Sequence, residues 1–567
     1  MAFPADFPAD GLKAIAQSGQ ALIESLIREL PLSGLDPATL LDALTKTSEA
    51  RDRLALLQSR YYRDWLALWT NRMVDHAPDD TIDRRYRAPE WRELPWFRHL
   101  RRLHALNSAY LAQLAEIAVL APDAKRRLRF VARQLADAMA PSNYPTTNPD
   151  AVKSAIESKG GSLLRGLALL SQDVAKGRIT MSDESAFEVG RNLGVTPGDV
   201  IYENDLIQLI RYRPTTQEVY ERPLFIVPPF INKYYILDLQ PSNSFVRYCV
   251  ECGFETFILS WRNVPPELGR LDWDDYIEHG VFEPLSALRR LSGSLSVNTL
   301  GFCVGGTLLA SALAVLAARR RNAAASLTLL ASMLDFRDTG EIGVYIDRGY
   351  VDRCERESAE GSLVPGSRLA ATFATLRANE LVWHFVTENY LLGRSPKAFD
   401  LLYWNADSSN LPGPLFAYYL RNMYLENNLR VAGKLRMHGV SVDLGKVRLP
   451  AYVFAAREDH IVPWRTAYHS ARLLTGRTEF VLGASGHVAG VINPARQHRR
   501  HHWTNSELPA DPDAWLSAAQ QHDGSWWTHW SAWLESHSGD RKPASSAGRR
   551  RFRAIEPAPG RYVRERH

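Results

Sequence analysis

Cysteine is scarce in this chain. Only four occur among 567 residues, unevenly spaced, which excludes a disulfide framework and fits free thiols in a reducing compartment such as the cytoplasm. An excess of one charge is missing too: 68 Lys and Arg stand against 63 Asp and Glu, a formal net charge of +5. Nine of those cations lie between Arg541 and His567, opposed only by Glu556 and Glu565, so this tail carries +7 and the remaining chain −2. A near-neutral body excludes the usual basic nucleic-acid surface and leaves only the tail to meet an anionic partner. The longest apolar run, roughly 304–318, is broken by glycines, Thr307 and Ser311, and is shorter than the roughly 20 residues of a membrane span. Met1–Asp10 holds two aspartates and no Lys or Arg, so no signal-peptide n-region is expected. Neither a Walker A lysine motif nor a dinucleotide glycine fingerprint occurs, so ATP, NAD and other cofactors are not implied.

What is present divides in two. Residues 1–195 read as a helical N-terminal domain: Leu54, Leu57, Tyr61, Trp65 and Leu68 recur at three- and four-residue spacing, with Trp69 beside them. That stripe reads as a helix-packing core or as a surface that docks a partner or apolar phase. Pro141, Asn143, Pro145, Asn148 and Pro149 mark a loop. Residues 196–567 alternate short apolar runs with helical stretches. Runs at 224–231, 255–261, 296–301, 326–334, 451–456 and 478–482 read as strands, with helices such as 241–251 and 307–320 between them. This alternation predicts an α/β fold, a mostly parallel sheet covered on both faces. The long interval 337–447, rich in Trp and Tyr, reads as an inserted cap over the carboxyl ends of the strands, where sites of such folds open.

The chemistry concentrates in Gly301-Phe302-Cys303-Val304-Gly305-Gly306, at the junction of an apolar strand and a small-residue helix. It has the form of a nucleophile elbow, G-x-S-x-G, with Cys303 in the serine position. Glycines on either side let strand and helix approach closely, and the turn sets the thiol at a helix N-terminus among amide donors. The Val304 amide is the expected first oxyanion donor, and the loop from Pro229 to Asn232 the expected source of a second. In this fold type the order is nucleophile, acid, histidine. Asp459 follows the 451–456 strand, and His487, twenty-eight residues later, sits in the flexible Gly483-Ala484-Ser485-Gly486-His487 loop. Glu458 and His460 flank the aspartate as alternatives. Cys249 and Cys252 share a helical segment and read as buried structural thiols, and His498, His501 and His502 read as part of a solvated basic loop, so no metal site is expected.

These motifs, together with Pro228 to Asp238 (PPFINKYYILD), Arg457 to Trp464, Gly483 to Pro494, Asp183 to Gly190 (DESAFEVG) and Glu556 to Val563 (EPAPGRYV), closely resemble the class I polyhydroxyalkanoate synthases of the α/β-hydrolase superfamily. The resemblance spans about residues 140–565 and leaves Arg541 to Arg553 as a plain basic linker. It implies a cytoplasmic, granule-associated homodimer that polymerises (R)-3-hydroxyacyl-CoA into a storage polyester. It assigns Cys303 as covalent acyl carrier, His487 as base and Asp459 as an aid to hydroxyl activation. Phe302 and Val304 beside the cysteine resemble the class preferring short monomers such as (R)-3-hydroxybutyryl-CoA. Trp404, in a Tyr-Trp-Asn-Ala-Asp segment, is a candidate pocket residue, and Trp383, Tyr418 and Tyr419 are candidates for excluding water under the cap. Arg377 and the Asn422 to Asn428 helix resemble family positions without an assigned role. Two other readings are a cysteine-dependent acyl-CoA thioesterase and a non-catalytic granule-surface protein.

Overall fold

Runs of Val, Ile, Leu and Phe long enough for five or six strand positions, apolar on both faces, can be satisfied only at the centre of a sheet covered on both sides. The computed structural model, which describes residues 35–70, 83–544 and 553–566, shows such a sheet. Its strands are β1 (Gly198–Glu203), β2 (Ile207–Tyr212), β3 (Leu224–Val227), β4 (Thr256–Trp261), β5 (Val297–Phe302), β6 (Ala324–Leu330), β7 (Ala451–Ala456), β8 (Thr478–Gly483), β9 (His501–Thr504), β10 (Gln520–Asp523) and β11 (Glu556–Pro557). They lie side by side in the order 10-9-8-7-6-5-3-4-2-1-11. The pairings from β4 through β3, β5, β6 and β7 to β8 are parallel, and every residue of β4, β5 and β7 is buried. Antiparallel strands close both margins.

The six central strands are those expected from the sequence, with shifted ends. The first stops at Val227 because Pro228 and Pro229 have no amide to give to a ladder. The marginal strands were not legible, and one corrects an expectation. His501–Thr504 is a strand of the sheet rather than a solvated basic loop, and burial there pushes the His502 imidazole down to about 4.

The chain divides into two units, one running to Asp183 and including Ala371–Lys397, the other comprising Glu184–Ala370 and Ala398–His567. The helical region therefore ends before 195, and the interval 337–447 is not a single cap, since its middle belongs with the N-terminal helices. The first unit is built on α1 (Ser48–Trp69), α2 (Pro95–Ile117), α3 (Pro122–Ala138) and α4 (Gly161–Lys176). The borrowed segment is held closely: the Tyr390 hydroxyl donates to Asp173 at 2.7 Å, and Gln134 donates its amide to Thr375 O at 2.9 Å. A Cβ at Gly166 of α4 would strike the Tyr390 carbonyl, so only glycine allows this approach. The Trp/Tyr stripe of α1 splits. Leu57 and Leu68 are buried, whereas Trp65 and Trp69 are exposed, Trp69 by 57%.

In the second unit the core helix α7 (Val304–Ala318) packs into one face of the sheet behind α6 (Glu283–Ser292). The Cys249-x-x-Cys252 pair sits on and just after α5 (Phe245–Glu251); both thiols are free and pushed up in pKa by burial. The tail is not a plain linker from Arg541 on. Arg541–Pro543 pairs with Glu218–Tyr220, and Glu556–Pro557 adds β11 beside β1. Residues 545–552 of that basic stretch and Met1–Asp10 lie outside the described residues. No helix among the described residues is long and apolar enough to cross a membrane.

Candidate active site

β5 ends at Phe302 and α7 begins at Val304, which leaves Cys303 alone to make the turn, at φ 53° and ψ −128°. Such a backbone costs on the order of 1–3 kcal/mol for a residue with a Cβ and persists only where its surroundings hold it. Here the Cys303 amide donates to Leu330 O at 2.9 Å, while the Cys303 carbonyl accepts from Gly306 at 2.9 Å and starts the helix. A Cβ on Gly301 would stand 2.8 Å from Gly306 N, and one on Gly305 would stand 2.5 Å from Pro228 O. Both glycines are thus required by main-chain proximity.

Val304 N–H is the first amide of α7 and has no acceptor within the helix, so it faces outward with the positive end of the helix dipole. Across from it runs the turn after β3. Pro228 and Pro229 carry no N–H, so a second donor there can come only from Phe230, Ile231 or Asn232. That loop is anchored on both sides. Phe230 packs edge-on against Tyr276 at 5.1 Å, and Ser409 N–H donates to Ile231 O at 2.8 Å.

Asp459 lies just past β7, its carboxylate closed to solvent. Oδ1 accepts the amides of Ile461 and Val462 at 2.8 Å each, and Oδ2 accepts His487 Nδ1–H at 2.6 Å. Main-chain bonds from Arg457 to Gly483 (2.8 Å) and from Glu458 to Ser485 (3.0 Å) tie the acid's loop to the histidine's. Glu458 is exposed, so of the three adjacent candidates it is Asp459 that reaches the imidazole. His487 is buried, with its ring over Phe302 at 5.7 Å. Burial opposes a charge on the ring, but the Asp459 carboxylate, then the negative charge on Cys303, and the hydrogen bond to Asp459 hold its pKa well above the ordinary 6.5. The elements therefore set His487 against Asp459 and within electrostatic reach of Cys303, an arrangement that could supply a nucleophile, a base and a group orienting the base.

Several contributors beyond the expected Tyr418 and Tyr419 were not legible beforehand. Tyr424 is partly buried; burial first, then the charge on Cys303, push its hydroxyl far up, so it stays neutral beside the thiol. Tyr419 behaves alike, and Phe336 packs edge-on against both rings. Tyr418 and Tyr419 stack on Trp273 at 5.8 and 5.6 Å. Trp526 and Trp527 donate their indole N–H groups to Gly490 O and Val491 O, pinning the short helix His487–Val491 from below. Two expected pocket residues are placed differently. Trp383 packs with Leu170, Val386 and Tyr390 in the first unit. Trp404 is buried with its indole N–H committed to Lys233 O at 2.7 Å, where it supports the loop after β3.

Lys233, at the end of that loop, is itself buried, and burial depresses its pKa. Its Nζ donates to the carbonyls of Glu565 (3.0 Å) and Tyr562 (3.5 Å). Gln208 donates its amide to Glu556 and accepts from Tyr562 N–H, and Arg262 reaches Glu565 at 3.0 Å. The conspicuous EPAPGRYV stretch is thereby a strap that holds the end of the loop after β3.

Two family profiles match the chain: the poly-beta-hydroxybutyrate polymerase (PhaC) N-terminus over residues 82–249, and the alpha/beta hydrolase fold over residues 223–494. The chain is 48% identical over 533 residues to the poly(3-hydroxyalkanoate) polymerase subunit PhaC of Cupriavidus necator, spanning 92% of this chain and 90% of that protein. It is 35% identical over 578 residues to the poly(3-hydroxyalkanoate) polymerase of Methylorubrum extorquens, spanning 98% and 94%. With poly(3-hydroxyalkanoate) polymerase 1 of Ectopseudomonas oleovorans it shares 38% identity over 495 residues, 86% of this chain and 88% of that one.

Proposed function

The chain belongs to the poly(3-hydroxyalkanoate) polymerase family, and from that premise we propose that it joins (R)-3-hydroxyacyl units from CoA thioesters into a polyester through an acyl thioester on Cys303. The observation that carries the reading is the Asp459–His487–Cys303 array on the elbow. His487 takes the proton of the Cys303 thiol as the sulfur attacks the thioester carbonyl. The oxyanion that forms is held by Val304 N–H and an amide of the Phe230–Asn232 turn. As the carbonyl re-forms, the C–S bond to CoA breaks, and the imidazolium of His487 protonates the leaving thiolate. One thioester has replaced another, so the acyl group stays activated, which a serine ester would not achieve.

His487 is then neutral, with Nδ1–H on Asp459 and Nε2 free to accept a proton. The 3-hydroxyl of the next unit gives up that proton as its oxygen attacks the acyl-cysteine. An ester forms, the thioester breaks, and His487 returns the proton to sulfur. Water in that place would release free acid. Phe336, Tyr419 and Tyr424 form a dense aromatic wall by the thiol that opposes its entry. The short side of the monomer range, with (R)-3-hydroxybutyryl-CoA as substrate, is supported by Phe302 and Val304 beside the nucleophile. Trp404 serves substrate binding through the loop it supports. A homodimer working at the surface of its own polyester is part of the same reading.

The deciding experiment is CoA release with product analysis on (R)-3-hydroxybutyryl-CoA and a medium-chain homologue. Insoluble polyester from the short monomer, and no CoA release by Cys303→Ala, are expected. CoA with free acid and no polymer would identify a thioesterase instead, and unchanged polymer from Cys303→Ala would remove the cysteine mechanism.

A further inference from the structure

At the end of α7 opposite Cys303, about 22 Å away for a helix of 15 residues, the second unit contains a cavity of about 360 Å³. Its walls come from α6, the last turn of α7 and the connection into β6, so it opens at the amino-terminal edge of the parallel strands, away from the thiol.

Four arginines line it, Arg289, Arg290, Arg319 and Arg321, against two glutamates, Glu278 and Glu283. The glutamates are engaged elsewhere. Glu283 accepts from the Tyr202 hydroxyl at 2.8 Å and the Asn204 amide at 2.7 Å and pairs with His279 at 3.0 Å, while Glu278 faces His438 at 3.7 Å. Arg319 is fixed by the His438 carbonyl at 2.9 Å and lies over Phe282, and Arg290 reaches the Ser286 hydroxyl at 3.0 Å. Arg289 Nε is buried and has no acceptor among the described residues. A guanidinium donor taken out of water without an acceptor is a standing cost, which an anion in the cavity would relieve.

Formal charges of +4 and −2 leave an excess of two on the walls, which matches a dianion. Guanidinium forks favour the planar and tetrahedral oxygen sets of carboxylates and phosphates. Phe282, Leu285 and Leu316 complete the cavity with an apolar wall that a bare inorganic ion could not use. We propose that this cavity is a second binding site, separate from the acyl-transfer centre, for a small phosphate monoester: its phosphate lies on Arg289, Arg290 and Arg321, and its apolar body lies against Phe282 and Leu316.

Phenyl phosphate is a suitable probe, titrated calorimetrically into the full-length protein. Saturable one-to-one binding is expected, tighter than that of inorganic phosphate and retained in Cys303→Ala. Arg289→Gln and Arg321→Gln should each weaken it about tenfold or more, with CoA release unchanged. Arg321 is exposed, so its variant carries the test even where Arg289→Gln fails to fold. No saturable binding up to millimolar probe, binding undiminished in Arg321→Gln, or inorganic phosphate binding as tightly as phenyl phosphate would each overturn the proposal.

Discussion

Gly305→Ala probes the closeness on which the elbow depends. A methyl at this position would stand 2.5 Å from Pro228 O and closer still to Val227 O, about 1 Å inside ordinary contact. Both are main-chain atoms leading directly into Phe230 and Ile231, so no rotamer relieves the clash. Either the first turn of α7 or the 227–231 turn must retreat. The proposed oxyanion donors sit one on each side of this contact, so the gap between them widens by about the same 1 Å. A misplacement of that size costs on the order of 100-fold in rate, about 2.7 kcal/mol in the barrier, beside roughly 1–3 kcal/mol of fold stability from overpacking. CoA release from (R)-3-hydroxybutyryl-CoA at saturating substrate should fall by about that factor, while thermal unfolding stays cooperative. Gly306→Ala is the contrast. Its methyl would meet Ser332, with Cβ at 2.9 Å and the hydroxyl closer, and that side chain can be deleted. Ser332→Gly should therefore recover much of the activity of Gly306→Ala and none of that of Gly305→Ala. A Gly305→Ala enzyme about as fast as the parent, or one rescued by Ser332→Gly, would refute the link between main-chain approach and oxyanion geometry.

Asp459→Asn keeps an acceptor for Ile461 and Val462 but turns an NH2 toward His487 Nδ1, so the ring proton moves to Nε2, facing Cys303; CoA release should drop on the order of a thousandfold or more. Because the carboxylate is closed to solvent and fully engaged, first acylation and elongation should suffer alike in rapid-quench measurements, and a loss confined to elongation would assign Asp459 to the hydroxyl instead. The same substitution leaves burial as the main influence on His487, which then drops in pKa. In the parent the raised pKa contributes stability that is full below about pH 6.5 and is lost as pH rises through the higher folded value. The urea-stability advantage of the parent over Asp459→Asn should accordingly be greatest in mild acid and shrink toward alkaline pH; a gap that widens with pH contradicts the assignment. Lys233→Met removes the donor shared by the Tyr562 and Glu565 carbonyls, at about 1–3 kcal/mol, so hydrogen exchange across residues 556–566 should accelerate, and unchanged exchange would show that the strap is held by other contacts.

The strand-turn-helix passage at Gly301–Gly306 was readable in the residues because its requirements are local. An apolar run, two glycines for close approach and a small-residue helix can serve few other backbone paths. The central strands were readable for the same reason, since burial on both faces writes itself as continuous Val, Ile and Leu. The marginal strands were not. His501–Thr504 pairs only with antiparallel neighbours, Glu556–Pro557 pairs on one side only, and the two carry histidine, glutamate and proline, so their strand character comes from the neighbours' hydrogen bonds rather than from their own composition.

The sequence by itself determined the family and marked Cys303, Asp459 and His487, in that order, as the candidate residues. Only the tertiary structure chose Asp459 over Glu458 and His460, because the choice depends on which side chain a loop turns inward after two main-chain bonds fix it against Gly483 and Ser485. The tertiary structure also moved Ala371–Lys397 out of the expected cap, brought Tyr424 to the thiol and fastened Lys233 beneath the tail. Lys233 and Glu565 are 332 positions apart. Contacts over such separations leave no period in the chain, since they are set by which surfaces meet once the sheet has formed.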